Sequence, residues 1–412
     1  MKRRDFLIVS GGIAAAVASR YSAAQNKPCP PPSLGVAGGS SVSTTCLANG
    51  NAPAWFIAMS DRHWAQPVTN WLGAVKDPLM DSTNAGNSEG AIVRAFSGMG
   101  TDRVHREIFL MGNGGHSDYH GNEVYSCDLS VAAPAWQRRR NASVHSGSGD
   151  VTKYSDGRKS SDHTGDLTME CGGRWFTPGM GGTDYNGDAA QGQWWEFDRN
   201  ANDYIDRGGN HPSNNGGTTS VSAVSDAANG QFLVVHSGNG TPSIEFIRLS
   251  DLAQTSVNNN GLPTGGGAPA ALDTTNRILL VKDDNASTKY WWVNIGKNPT
   301  AAWTALNASG VGIPNTQAFH WHEPSGAFLT WDRGGGLIKG TPTLGGGGYS
   351  SLVWSTVASA GGTAPVFDSL IAGMHNKVGL IPDMGNGQAC LVVVPQWGTP
   401  DVHIFKIPVA GV

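Results

Sequence analysis

The chain has 412 residues, 57 of them glycine, with 15% charged residues and a formal net charge of −4. Glycine runs at about twice average usage and charge well below the usual figure of about a quarter. Such a chain offers no basic surface to a nucleic acid or an anionic membrane, and its composition points to one large, repetitive all-β unit.

The first 24 residues stand apart from that unit. Lys2-Arg3-Arg4-Asp5-Phe6-Leu7 joins an arginine pair to an apolar run ending at Ala18, followed by Ser22-Ala23-Ala24. This is the pattern of a twin-arginine export signal, with cleavage expected after Ala24. The apolar run is shorter than the ~20 residues of a membrane span. The mature protein is therefore expected in the periplasm or outside the cell, as a monomer without membrane contact. Residues 25–51, rich in Pro, Gly, Ser and Asn, read as an arm. In an oxidising compartment, Cys29 and Cys46 at the ends of this arm are the first choice for a bridge. Cys127, Cys171 and Cys390 read as small buried hydrophobes. The absence of a Cys-x-x-Cys pair argues against a cysteine zinc site.

Residues 52–412 carry the fold. The run 54–59 is strand-like. From residue 90 a four-strand unit, A to D, recurs. Unit one takes strands at 91–97, 107–111, 123–129 and 135–139. Unit two takes 164–170, 174–178, 193–198 and 203–206. Unit three takes 218–225, 231–236, 243–249 and a weak fourth run. Unit four takes 267–272, 277–282, 289–294 and 301–304. Unit five takes 316–322, 327–331, 336–340 and 351–355. Unit six takes 375–382, 389–394 and 402–407 and then runs out of chain. The A-to-B turns match one another: Asp226-Ala227-Ala228-Asn229-Gly230, Asp273-Thr274-Thr275-Asn276, Glu323-Pro324-Ser325-Gly326 and Asp383-Met384-Gly385-Asn386-Gly387. Each supplies residues that tolerate φ > 0 in a tight hairpin. A period of about fifty lies in the range of kelch-like propeller blades. The N-terminal run around Trp55–Trp64 is expected to supply the missing strand of unit six and close the ring. Six blades are counted by pattern and a seventh could lie in 51–84 or in the long insertions, so the expected propeller has seven or six blades.

In such a blade the B-to-C and D-to-A connections share one face. That geometry puts His116, His163, His211, His236 and His375 on one face or its funnel. His320 and His322, flanking Trp321, share one side of their strand. His63, His105, His145 and His403 read as surface residues. The richest connection is Gly112-Asn113-Gly114-Gly115-His116-Ser117-Asp118-Tyr119-His120-Gly121-Asn122-Glu123-Val124-Tyr125. His116-x-x-x-His120 shares a face only in a helix, so no metal site is assigned to this Gly-rich loop. No Gly-x-Ser-x-Gly elbow supports a serine nucleophile. Acid–base chemistry by His and Tyr remains.

The 114–125 stretch, followed by Asp162-His163-Thr164, resembles the kelch-type propellers of secreted polysaccharide lyases. These include ulvan lyases and rhamnosyl-glucuronate lyases, with a central domain like that of galactose oxidase. The resemblance covers about 52–410 and is specific only at 112–125. It implies β-elimination on a uronic-acid-containing polysaccharide, with paired histidines mapping to His116 and His163. The family's Tyr and Arg come from the following blade. Here, Gly216-Gly217-Thr218-Thr219-Ser220 and Val235-His236-Ser237 hold neither. The candidates for those roles are His236, His211, Tyr119, Tyr185 and Lys377. The resulting set is His116, His163, Tyr119 and His236 for catalysis, and Asn122, His211, His320, His375 and Lys377 for substrate. The lyase reading requires no cofactor and is compatible with a structural metal ion. The alternatives are a glycan- or protein-binding propeller without catalysis and a metal-dependent oxidase.

Overall fold

The structure, a computed structural model, describes residues 51–78, 90–94, 97–112, 121–144, 153–161, 164–179, 193–208, 221–236, 244–258, 268–283, 288–315, 317–368, 376–399 and 401–409, with a few isolated positions between them. The export-signal pattern, the arm and the Cys29–Cys46 pair lie outside these residues.

The recurring A-to-B turns fold as their composition requires. The residue before strand B has positive φ at Arg106 (59°), Gly173 (78°), Gly230 (63°), Arg277 (59°) and Gly326 (56°). Turn aspartates accept backbone N–H groups two to four residues on. Asp102 Oδ1 takes Val104 N and His105 N, and Asp383 Oδ1 takes Gly385 N. These Asx-type bonds satisfy the donors that a hairpin tip leaves exposed.

The first strand, β1 (Trp64–Ala65), belongs to the last sheet. Blade one is β2 (Gly100–Asp102), β3 (Glu107–Met111), β4 (Val124–Asp128) and β5 (Trp136–Arg140). Blade two is β6 (Met169–Cys171), β7 (Arg174–Gly179), β8 (Gln193–Asp198) and β9 (Asp203–Asp206). Blade three is β10 (Val221–Asp226), β11 (Gln231–His236), β12 (Ile244–Arg248) and β13 (Gln254–Asn258). Blade four is β14 (Ala270–Asp273), β15 (Ile278–Lys282), β16 (Lys289–Asn294) and β17 (Thr304–Asn307). Blade five adds a short outer strand, β18 (Ser309–Gly310), to β19 (His320–His322), β20 (Ala327–Trp331), β21 (Leu337–Gly345) and β22 (Gly348–Val357). Blade six is β23 (Val378–Ile381), β24 (Cys390–Val393), β25 (His403–Lys406) and β1.

The protein is thus an all-β, six-bladed β-propeller of mostly four-stranded sheets. The inner strands β2, β6, β10, β14, β19 and β23 pack in that order, and β23 returns to β2. Ring closure comes from the N-terminal side, as expected. Trp64 pairs with Phe405 and Ala65 with Ile404. Lys406, 4% exposed, pins the chain before β1 by donating to Phe56 O (3.0 Å) and Met59 O (2.7 Å).

Sheets are buried on both faces because each blade packs between two others. All five residues of β3 and all five of β15 are buried. Between blades one and two, Phe109 and Trp175 stack at 4.1 Å and 4°, and Trp175 Nε1 donates to Asp102 Oδ2 at 2.6 Å. Burying each such ring contributes about 1.5–3 kcal/mol. Cys127, Cys171 and Cys390 are buried free thiols.

Two strand expectations need correction. The run 54–59 forms a short helix, Ala54–Ala58, in which Phe56 is buried while Ala54, Ile57 and Ala58 face solvent. One buried residue per turn suffices there, and among the described residues no strand pairs with this run. Residues 91–94 form a helical turn, and strand A of blade one lies later, at β2. The Phe109 ring lies over Gly100, where a Cβ would come within 2.0 Å of it. The inner strand therefore needs a small residue at that point, and it lacks the apolar run that marks a strand in sequence.

Candidate functional site

The up-and-down path of each blade brings the B-to-C and D-to-A connections to one face of the ring. His116, Tyr119, His163, His211 and His375 fall outside the described residues, as do Asp118, His120 and Tyr185. Asn122, His236, His320 and Lys377 are described, and each stands at or near the loop-face end of a strand.

His236 is the last residue of β11 and pairs with Val221, the first residue of the inner strand β10. It is fully buried, and its Nε2 lies 3.0 Å from Glu245 Oε2. Ser256 Oγ donates to the other carboxylate oxygen at 3.0 Å. Alternation on antiparallel strands explains the pair. Glu245 stands opposite Val234, and Val234 and His236 share a side of the sheet. Burial pushes the Glu245 carboxyl up, but the hydrogen bond and charge of His236 outweigh it and hold it below the usual range. A carboxylate that accepts one ring N–H fixes the orientation of the imidazole.

Lys377 immediately precedes β23 and is 1% exposed. Burial depresses its ammonium to about 7, against the pull of Asp166. Its neighbour Asn376 reaches from blade six to blade two, donating to Asp166 O at 3.1 Å and Thr168 O at 3.2 Å. Asp166 O also accepts Ala223 N of blade three at 3.0 Å, and Ser222 Oγ donates to Ala268 O ahead of blade four at 2.7 Å. The segments entering the inner strands are thus laced together by a buried polar collar. Lys377 sits in it with an amine that changes charge near neutral pH.

The other two predicted residues make bonds within the fold. Asn122 Nδ2 donates to Ser143 Oγ (3.0 Å) and Lys159 O (2.6 Å), and its Oδ1 accepts Ser143 N (2.7 Å) and Arg140 Nη1 (3.1 Å). These four bonds fill the capacity of a side-chain amide. His320 Nε2 donates to Val378 O at 2.6 Å and ties blade five to blade six. Burial takes its pKa to about 4, although that bond raises it. His322 shares the strand and the depressed pKa, about 4, with burial again the main cause.

His403 departs from expectation. It was expected at the surface, but it is 2% exposed at the start of β25, where blade six packs on both sides. Glu245 and Asp166 went unnoticed in the sequence. The available signal was a lone acid in an apolar strand, Ile244-Glu245-Phe246-Ile247, in register with a histidine on the partner strand. Among the described residues, no group of three or more His, Cys, Asp or Glu side chains is arranged to hold a metal ion.

No protein-family model matches the sequence, and no curated protein matches it. Among solved structures, a protein of unknown function from Bacteroides thetaiotaomicron aligns at 13% identity and a TM-score of 0.35, covering 66% of this chain and 65% of its own. The GH74 enzyme of Niastella koreensis aligns at 11% identity and a TM-score of 0.39, covering 84% and 52%. A copper-bound fungal alcohol oxidase of the AA5 family aligns at 12% identity and a TM-score of 0.37, covering 76% and 62%. The chain spans less than two-thirds of the length of each.

Proposed function

We propose that this is an exported, carbohydrate-active propeller that cleaves uronic-acid-containing polysaccharide by β-elimination on its loop face. The observation that carries the reading is the His236–Glu245–Ser256 chain, a carboxylate-held imidazole at the loop-face end of blade three. The 114–125 stretch and its resemblance to secreted lyases support the substrate class. The arginine pair at Arg3 and Arg4 supports export to the periplasm or beyond.

In this reaction the base removes the proton at C5 of the uronate, and the C4–O4 bond breaks as the C4=C5 double bond forms. An acid protonates the departing oxygen. His236, braced by Glu245, is assigned the proton transfer, with His116, His163 and Tyr119 as the partners the sequence offers. Lys377 is assigned the negative charge that grows on the uronate carboxyl. Positioned acid–base groups of this kind are worth about 10²–10⁴-fold.

A second reading, a propeller that binds glycan without cleaving it, is favoured by the complete burial of His236 and Lys377. One experiment decides between them. Purified protein is incubated with ulvan, glucuronan and gum polysaccharides, and the ultraviolet absorbance of the unsaturated uronate product is followed. Cleavage lost in His236→Ala supports the lyase. No product from any uronate polymer leaves the binding reading.

A further inference from the structure

A small cavity in blade six stands outside the proposed catalytic groups. It measures about 150 Å³ and is lined by Val68, Thr69, Asn70, Trp71, Thr399, Asp401 and Val402. Thr399, Asp401 and Val402 come from the β24–β25 connection, which is a B-to-C connection of the loop-face type. Val68 to Trp71 follow β1, the outer strand of the same blade. A cavity of this volume is of the size that admits a single six-membered ring such as benzene, room for one sugar ring and not for a run of chain.

The walls of this cavity are pre-set. The Trp71 indole folds back over Gly73, where any Cβ would come within 2.3 Å of the ring. Trp397 meets Trp71 edge-to-face at 5.5 Å and 68°. Trp71 lines the cavity and is only partly buried, so its indole keeps aromatic surface open there, with Trp397 backing it. Asp401 lies 3% exposed at its floor, with Oδ2 accepting Leu72 N at 2.6 Å and Oδ1 accepting Trp136 Nε1 at 3.2 Å. A carboxylate has about four acceptor sites, so capacity beyond the bonds within the fold remains to accept a hydroxyl.

We infer that this cavity is a binding subsite for a neutral pyranose unit, held against Trp71, which Trp397 backs, with a hydroxyl donated to Asp401. A rigid indole costs little ordering on binding, and the C–H face of a pyranose is the complement to an aromatic face. The carboxylate floor accepts hydroxyl groups and repels uronate or sulfate. The inference rests on the reading of the protein as a polysaccharide handler, and it adds a subsite that holds a neutral residue while an acidic one is processed elsewhere.

The test is affinity electrophoresis and tryptophan fluorescence titration of the whole protein with neutral glucan, galactan and mannan, beside glucuronan. A neutral polymer is expected to retard the wild type and shift its fluorescence. Trp71→Ala and Trp397→Ala should weaken binding about tenfold, or about 1.4 kcal/mol. Thr399→Tyr, an exposed rim position, should block the cavity without touching the core. No binding of any neutral polymer, preference for glucuronan, or unchanged binding in folded Trp71→Ala and Thr399→Tyr overturns the inference. Lyase activity is read by product absorbance alone, so the two readings fail independently.

Discussion

Replacing Lys377 with methionine isolates the cost of an ammonium in the polar collar. In an unfolded chain this lysine keeps its proton up to about 10.4. In the fold, burial lowers that point to about 7. Between these values the unfolded state binds more protons, so stability rises with pH across the window. The penalty is absent above the unfolded pKa, grows as pH falls, and levels off below about 7. At about 1.4 kcal/mol per pH unit it amounts to roughly 4 kcal/mol at pH 7 and roughly 2 kcal/mol at pH 9. Lys377→Met has no such term. The pull of Asp166 is already part of that lowered titration point and adds no separate offset. The informative quantity is therefore a slope. Urea unfolding of wild type and Lys377→Met at several pH values from 7 to 10 should show the mutant's relative stability falling by roughly 2 kcal/mol for every 1.5 pH units. A difference that stays flat with pH would refute the assignment of a buried, titrating amine.

Three further outcomes follow from the geometry. If the His236–Glu245 pair transfers the proton, His236→Ala should lower the cleavage rate about 10²-fold or more, while Glu245→Gln, which keeps the shape, should cost less and shift the pH–rate profile. Lys406→Met strands two buried carbonyls, Phe56 O and Met59 O. It should cost about 1.5–3 kcal/mol, read by thermal unfolding, and should speed proteolysis ahead of β1. Gly100→Ala drives a methyl group into the Phe109 ring. A loss of about 1–3 kcal/mol is expected, whereas an unchanged melting temperature would mean that β2 does not pack as described.

The blades were legible where local chemistry and global fold demanded the same residues. Strands β3, β11, β15, β20 and β24 are apolar runs because both their faces are covered, and their turns carry Asp and Gly because a hairpin tip needs them. Strands set by long-range fit were not legible. β2 begins at Gly100 because of a ring brought in from the next strand, and β1 is two residues long because Phe405 and Ile404 wait for it. The candidate site was legible as a face, since topology alone sorts connections. Its chemistry was less so. His236 stood out as a histidine, but its partner Glu245 becomes visible only once the register of β11 on β12 is known. Lys377 drew notice as a cation, whereas the depressed charge arises from burial that no local pattern encodes.

The seam in blade six also bears on how the protein is made. Trp64 pairs with Phe405, so the first strand synthesised waits for the last. At about 5–20 residues per second, the interval between the two is roughly 17–70 s. Throughout that time five blades can form as an open arc, while both lips of the ring lack their neighbour. Closure is then a single late event that brings the beginning and end of the fold together. A chain truncated even a few residues before Lys406 would lose this seam along with its own end, and its arc would present two sheet faces to other chains.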